Sequence, residues 1–152
     1  MNKLTLLIVV LLFSACGYHL RSNNNLATGY PVIKLKIGTQ SFLKRPLANA
    51  LISSGVKLVN ETTEGQTELN IAKDSLRKVV QSIGVNNQVQ EYRLEYDVTF
   101  SIADKELKNI HLEKDYSFDI QQISGGQQEE LTLRKQLAED MAWAIVRQIS
   151  IK

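Results

Sequence analysis

The sequence predicts an α+β fold: a two-layer sandwich with a mostly antiparallel or mixed sheet of about four strands and two helices on one face. Residues 91–102 alternate between apolar and polar side chains without a break, as in a strand with one buried and one solvated face. Residues 128–149 carry apolar side chains at helical spacing, which predicts an amphipathic helix. Two layers are the simplest arrangement that buries both apolar surfaces.

The first part of the domain is predicted to be a strand followed by a helix. Residues 32–37 alternate, with isoleucine and leucine on one side and lysine on the other, which indicates a short half-buried strand. A helix is expected from about residue 41 or 44 to residue 54. Pro46 is tolerated only in its first turn, and Gly55 suits the left-handed position that ends a helix.

The middle of the chain carries weaker strand signals. Residues 56–59 are compatible with the start of a further strand, and residues 67–80 with a longer one. The alternation of this longer strand fails after its first half, which predicts a bulge near Asp74 or Ser75. Residues 84–87, rich in glycine and asparagine, are expected to form a turn.

The last third is predicted to be a hairpin and a helix. The strand at 91–102, a polar turn at 104–106 and a strand at 110–120 form a long antiparallel pair. Gly125 and Gly126 are expected to end the hairpin before the final helix, whose first turn is acidic and whose last turn is basic, as the helix dipole favours.

The first fifteen residues have the three regions of an export signal. Asn2 and Lys3 form a polar, positive start, residues 4–13 are apolar except for one threonine, and Ser14 and Ala15 are small. The apolar stretch is much shorter than the roughly 20 residues that a permanent transmembrane helix needs. We therefore expect residues 1–15 to be a cleaved signal peptide.

Cys16 directly follows this segment. Residues 13–16, Phe-Ser-Ala-Cys, resemble the bacterial lipobox, although the lipobox prefers leucine at the position of Phe13. The resemblance implies a diacylglycerol and an N-acyl chain on Cys16, with no other cofactor, and Gly17 in place of an aspartate implies sorting to the outer membrane. The alternative is a secreted protein with a stray thiol.

The mature chain divides into a lipidated N-terminus with a tether, residues 16–29, and a single domain, residues 30–152. The second half of the tether region could instead be a surface loop that packs on the domain. The chain has 18 basic and 16 acidic residues, so its charge gives no reason to expect nucleic acid as a partner. One cysteine forms neither an internal disulfide nor a cysteine-rich metal site.

Candidate catalytic groups are few, and the sequence predicts no catalytic and no metal site. His19 and His111 lack the helical histidine or cysteine partner of a zinc site. Acidic residues alternate along the two hairpin strands, which is typical of solvent-exposed carboxylates: Glu95, Asp97, Glu113, Asp115 and Asp119. A periplasmic hydrolase that uses Glu113, Asp115 and His111 remains an alternative.

Two features point to binding. The aromatic side chains of the hairpin could line a groove for acyl chains, although a hydrophobic core is the more ordinary explanation for them: Tyr92, Tyr96, Phe100, Tyr116 and Phe118. Lys73, Arg77 and Lys78 could contact an anionic sugar phosphate such as that of lipopolysaccharide. Alternatively, these basic residues are a solvated edge that protects an edge strand from aggregation.

Residues 16–21, Cys-Gly-Tyr-His-Leu-Arg, resemble the mature start of the lipopolysaccharide-assembly lipoprotein family LptE. The strand around residues 90–92 and the late helix around residues 142–145 are also similar. The resemblance implies a lipid-anchored plug inside the outer-membrane β-barrel LptD that takes part in lipopolysaccharide transport, and it transfers only Cys16 as a functional residue. An independent periplasmic lipid- or glycan-binding lipoprotein is the alternative.

Overall fold

The computed structural model describes residues 26–61, 64–103, 105–117 and 123–151, with only the backbone for residues 123–126. These residues form five strands and three helices. In chain order they are α1 (Leu26–Gly29), β1 (Val32–Lys36), α2 (Lys44–Ser53), β2 (Lys57–Val59), β3 (Thr67–Ile83), β4 (Val89–Ile102), β5 (Lys108–Ser117) and α3 (Ile123–Ser150).

The strands form one mixed sheet in the order β2-β1-β3-β4-β5. β1 lies parallel to both β2 and β3, whereas β3, β4 and β5 form an antiparallel meander. The turn between β3 and β4 uses the predicted residues: Asn87 has a left-handed φ of 59°, and the Gly84 N–H donates to the Gln88 carbonyl at 2.8 Å. The two-layer α+β prediction is confirmed.

The core lies between the sheet and the helices. Every second residue of β4 from Leu94 onward is buried, as its alternation predicts, and Tyr96 and Phe100 are fully buried. Leu47 and Leu51 of α2 and Met141 and Ile145 of α3 cover them from the helical layer. Burial of each such large side chain contributes about 1.5–3 kcal/mol, so this layer contact is the main source of stability.

The structure has one more strand and one more helix than the predicted fold. The additional strand is β2, at the place where a strand start was considered. The additional helix is α1, in which Leu26 is only 3% exposed and belongs to the core. Residues 26–29 therefore pack on the domain, which was the second of the two alternatives for this part of the tether.

The bulge in β3 lies earlier than predicted. The register with β4 shifts between Ile71 and Lys73, and again between Val80 and Ile83, but not at Asp74 or Ser75. The first shift comes directly after Asn70, where the pairing with β1 ends. The strand therefore becomes irregular where one of its two neighbours is lost.

The final helix begins five residues before the predicted start at residue 128, and the prediction that Gly125 and Gly126 end the hairpin is wrong. β5 ends at Ser117, and residues 118–120, which were predicted to continue it, lie outside the described residues. α3 has 28 residues. Neither it nor any other helix in the described ranges is apolar enough over a sufficient length to cross a bilayer.

Candidate partner-docking face

The side of the sheet that faces away from the helices is covered with charged side chains. We call it the open face. Its charged residues come from the three long strands: Lys73 and Arg77 from β3, Arg93, Glu95 and Asp97 from β4, and His111, Glu113 and Asp115 from β5. Because positions i and i+2 of a strand share a face, the same alternation that buries β4 on one side puts these groups together on the other.

Arginine and carboxylate side chains pair across the strands of the open face. A terminal nitrogen of Arg77 lies 3.1 Å from a carboxylate oxygen of Glu95 and 3.1 Å from one of Asp97. The Arg93 Nε donates to Asp115 at 2.6 Å, and a terminal nitrogen lies 3.1 Å from Glu113. The hydrogen bonds from Arg93 hold the pKa of the Asp115 carboxyl below its usual range.

His111 joins two of these carboxylates. Its Nδ1 lies 2.8 Å from Asp97 and its Nε2 lies 3.7 Å from Glu113. The hydrogen bond to Asp97 is the main cause that raises the pKa of His111 and lowers the pKa of Asp97.

The surroundings of His111 do not favour the hydrolase alternative. The partners that the described residues offer to its ring are carboxylates rather than a nucleophilic hydroxyl. Its side chain is 47% exposed on an open sheet surface, and it lines neither the groove beside residues 38–42 nor the groove between α2 and α3 that are described below. A general base normally acts from a cleft that excludes water.

The ion pairs of the open face contribute little to folding. Glu113 and Asp115 are about half exposed, and exposed pairs of this kind are worth about 0–1 kcal/mol each. Their effect is to fix the side chains in position, with positive and negative groups alternating across the strands. Such a surface favours a polar, charged partner, because charge complementarity selects partners and sets their orientation.

Lys78 lies on the other side of the sheet, because it follows Arg77 directly in β3. Its Nζ donates to Glu130 of α3 at 2.7 Å and lies 4.4 Å from the centre of the Tyr92 ring. The Tyr116 hydroxyl donates to the same carboxylate oxygen at 2.9 Å, and Arg134 donates to the other oxygen at 2.8 Å. We call these five residues the Glu130 cluster.

The Glu130 cluster connects the helix to the sheet electrostatically. Burial alone would raise the pKa of Glu130, but the hydrogen bonds from Lys78, Arg134 and Tyr116 outweigh it and lower the pKa to about 2. Burial and the same carboxylate raise the pKa of the Tyr116 hydroxyl. Glu130 is therefore ionised at all physiological pH values and holds β3 and β5 against α3.

The structure separates the three basic residues that were predicted to contact lipopolysaccharide. Lys73 and Arg77 share the open face, whereas Lys78 is held by Glu130 beneath the helix. Strand parity already places neighbouring residues on opposite faces, so the sequence contained the signal that separates Arg77 from Lys78. Contact of these residues with lipopolysaccharide stays a prediction, and Cys16, His19 and Asp119 lie outside the described residues.

The aromatic residues of the hairpin form core rather than an open groove. Tyr96 and Phe100 are fully buried and Tyr116 is 7% exposed, while Tyr92 packs against the same core. Phe118 lies outside the described residues. The Tyr96 hydroxyl has no hydrogen-bond partner of favourable geometry among the described residues. Burial and the nearby Asp74 carboxylate raise the pKa of this hydroxyl.

Described residues line two surface grooves. One, of about 460 Å³, is lined by residues 38–42, Asp74, Leu76 and Arg134. The other, of about 330 Å³, lies between α2 and α3 and includes Arg45, Glu139 and Trp143 among its lining residues. No group of three metal-ligating side chains comes together in the described parts of the chain.

Comparison with known proteins gives the family of this domain. Residues 32–149 match the family model described as LptE, lipopolysaccharide-assembly. A minor lipoprotein of Acinetobacter baumannii is 25% identical with a TM-score of 0.67, and the match covers 80% of this chain and 91% of that chain. Rare lipoprotein B of Shewanella oneidensis is 24% identical with a TM-score of 0.68, covering 78% and 93%.

A lipoprotein B of Nitrosomonas europaea shares the fold with a TM-score of 0.73 at 22% identity, and the match covers 88% of this chain and 90% of that chain. The family model covers every strand of the sheet, all of α2 and all but the last residue of α3. The chain therefore belongs to the lipopolysaccharide-assembly family LptE.

Proposed function

We propose that this protein is a non-enzymatic outer-membrane lipoprotein that plugs the LptD β-barrel, helps it assemble and takes part in lipopolysaccharide transport to the outer leaflet. Membership of the LptE family supports a role in lipopolysaccharide assembly. The similar solved proteins are named as lipoproteins, which agrees with the export signal and Cys16 of this sequence.

The open face is the observation that carries the plug proposal. Large outer-membrane barrels enclose a polar lumen, and a protein that fills it must offer polar surface. On the open face, Arg77 and Arg93 already pair with carboxylates of the same domain. Docking therefore buries these two arginines with their charges already paired, whereas an unpaired buried charge would oppose association by several kcal/mol.

The position of Cys16 is compatible with a domain inside a barrel and a lipid outside it. Leu26 is fixed in the core, and the ten residues from Cys16 to Leu26 extend to at most about 36 Å. This length lets the acyl chains enter the bilayer beside the barrel wall. Two or three acyl chains anchor a protein nearly permanently, since each buried methylene contributes about 0.8 kcal/mol.

Co-purification from native membranes tests the proposal. The full-length protein, with an affinity tag after Lys152, is expressed from its own promoter, extracted in mild detergent and captured. We expect LptD to be recovered in equal molar amount, and mass spectrometry to find a mature N-terminus at Cys16 with diacylglycerol and an N-acyl chain.

A second tagged outer-membrane lipoprotein from the same cells is the control, and it should not recover LptD. Recovery of a folded, lipidated protein without LptD would contradict the plug role. An unmodified thiol at Cys16 would contradict the anchor, independently of the barrel.

A further inference from the structure

One end of the domain surrounds the point at which the N-terminal segment enters the fold. Leu26, the first described residue, belongs to the core, and its carbonyl accepts from the N–H of Tyr30 at 2.8 Å. The Tyr30 hydroxyl accepts from the Nζ of Lys105, in the turn between β4 and β5, at 3.1 Å. The Nζ of Lys108 donates to the Gln148 carbonyl in the last turn of α3 at 3.5 Å. These contacts bring together what we call the anchor end: Tyr30, residues 105–108 and residues 147–151.

Two large apolar side chains are exposed at the anchor end. Leu107 is 63% exposed and Ile151 is 64% exposed. Leu107 directly precedes Lys108, and Ile151 follows Gln148 by three residues, so the bond between Lys108 and Gln148 holds the two apolar residues on neighbouring parts of the surface. Single exposed apolar residues are common on proteins, and these two gain significance from their position next to the anchor.

The length of the N-terminal segment decides which end of the domain meets the membrane. The ten residues from Cys16 to Leu26 extend to at most about 36 Å. The β3–β4 turn at the opposite end also exposes an apolar side chain, Val85, but the 17 residues of β3 place it roughly 55 Å away. If that turn rested on the bilayer with the strands upright, Leu26 would lie beyond the reach of the segment. A lipid on Cys16 therefore favours contact through the anchor end.

The anchor also makes a small contact area sufficient. A short linker turns the contact between domain and bilayer into an intramolecular event, with an effective concentration on the order of millimolar. Removal of apolar side chains from water is favourable in proportion to their area. Two side chains that would not hold a free protein on a membrane can therefore orient an anchored one.

The polar residues of the anchor end suit the zone between headgroups and acyl chains. Tyrosine is enriched at this depth, and lysine buries its stem there while its ammonium group stays in water. Tyr30 is half-buried beside Lys105, and Lys108 is half-buried as well. Charge contributes little, because three basic residues are largely offset by two acidic ones. These are Lys105, Lys108 and Arg147 against Asp104 and Glu106.

We propose that the anchor end rests on the bilayer, with Leu107 and Ile151 among the acyl chains just below the headgroups of the leaflet that holds the lipid of Cys16. The strands run between the anchor end and the β3–β4 turn, so the sheet stands upright on the membrane. The open face is then parallel to the membrane normal and accessible to a partner. The inference rests on the proposed lipid on Cys16 and not on LptD.

Paramagnetic broadening of NMR signals tests the proposal on the mature, lipidated protein with one copy per nanodisc. The nanodiscs contain phosphatidylethanolamine and phosphatidylglycerol without LptD, and a small fraction of the lipid carries a nitroxide on its acyl chain close to the headgroup. We expect the amide signals of Leu107 and Ile151 to broaden several-fold more than those of Val85 and Leu131. Leu131 is a control on α3 itself, about 30 Å along the helix from Ile151.

Matched pairs of substitutions separate contact from proximity. Leu107→Ser with Ile151→Ser removes the apolar contact, so the domain should lose its fixed orientation and the broadening at residues 105–108 should fall several-fold. Val85→Ser with Leu131→Ser removes two exposed apolar side chains far from the anchor end and should leave the broadening unchanged. All four side chains are 47% exposed or more, so the core stays intact in both variants.

Three results would overturn the proposal and leave the anchor on Cys16 standing. They are equal broadening at both ends, stronger broadening at Val85 than at Leu107, and unchanged broadening in the variant Leu107→Ser, Ile151→Ser. Broadening that requires two copies per nanodisc would identify a second copy as the occupant and would also overturn it. Loss of the protein from the nanodiscs during gel filtration would contradict both the lipid on Cys16 and the contact that rests on it.

Discussion

Glu130 accepts hydrogen bonds from Lys78, Tyr116 and Arg134, so one carboxylate connects β3, β5 and α3. Replacement by glutamine removes the charge that these donors share. We expect Glu130→Gln to lower the free energy of unfolding at pH 7 by about 1–3 kcal/mol, as measured by urea denaturation. Glu129→Gln, one residue earlier and exposed, should change it by less than about 0.5 kcal/mol. Equal effects of the two substitutions would contradict the role of Glu130.

The same carboxylate makes stability depend on pH. Its pKa falls from 4.5 to about 2 on folding, so its contribution is complete above pH 4.5 and is lost as the pH falls from 4.5 toward 2. Thermal unfolding between pH 6 and pH 2 should show a steeper loss of stability for the wild type than for Glu130→Gln. Parallel curves of stability against pH for the two proteins would show that the neighbours of Glu130 do not lower its pKa.

His111 titrates in the opposite sense. Its pKa is raised above the ordinary 6.5 by Asp97, so its stabilising contribution is complete below pH 6.5 and disappears as the pH rises through the folded-state pKa. An NMR titration of the imidazole protons should give a pKa above 6.5 in the wild type. Asp97→Asn should lower it toward 6.5, whereas Glu139→Gln on α3 should not. An unchanged His111 pKa in Asp97→Asn would contradict the pairing.

At the scale of single elements, the end of α2 depends on Gly55. Its φ is 83°, and its N–H donates to the Ile52 carbonyl at 2.9 Å, as expected of a glycine that terminates a helix. Gly55→Ala should lower the free energy of unfolding by about 1–2 kcal/mol, because a Cβ is strained at positive φ. Gly38→Ala, where an added methyl group meets no atom within 4 Å, is the matched control and should be nearly neutral. Denaturation of both variants checks this.

Regular periodicity made some elements predictable. β4 alternates without a fault, and α2 ends at Ser53, one residue before the predicted end and two residues before Gly55, so local patterns located both elements. These patterns report burial on one face, which is what the layered fold requires. The two-layer α+β class follows from them directly.

Other features depend on partners that are distant in the sequence. The bulge in β3 lies at Ile71–Lys73 because β1 stops pairing at Asn70, and local alternation contains no record of that. α3 extends through Gly125 and Gly126 although glycine disfavours helix by about 1 kcal/mol relative to alanine. Pairing with a distant strand therefore sets the position of the bulge, whereas the two glycines are accommodated within a long helix at a modest cost.

The arrangement of charged residues on the sheet was also only partly predictable from the sequence. Strand parity predicts that Arg77 and Lys78 face opposite sides, and the sequence also shows which strand positions carry acids. Which acid pairs with which base requires the register of β3, β4 and β5. The capture of Lys78 by Glu130, 52 residues away, required the tertiary fold.

At the scale of the whole molecule, the long axis of the sheet separates the two ends of the domain. β3 begins beside β1, close to the point where the tether reaches the domain, and its 17 residues extend roughly 55 Å to the β3–β4 turn. This length exceeds the roughly 30 Å hydrocarbon core of a bilayer. In the proposed plug, a domain held by Cys16 at one end would have its opposite end a full membrane thickness away.

Exchange of charges on the open face tests the proposal that this face docks on LptD. Arg93→Glu breaks the contact with Asp115 at 2.6 Å, and the double variant Arg93→Glu, Asp115→Arg restores an ion pair with reversed orientation. An equivalent exchange on α3, Lys135→Glu with Glu139→Lys, is the control.

The measurement is the molar ratio of LptD to tagged protein recovered from native membranes, with unfolding curves of each variant recorded in parallel. We expect the double variant on the open face to regain wild-type stability but to recover several-fold less LptD, and the control exchange to recover LptD fully. Full recovery of LptD by the stable double variant, or equal loss in the control, would contradict it.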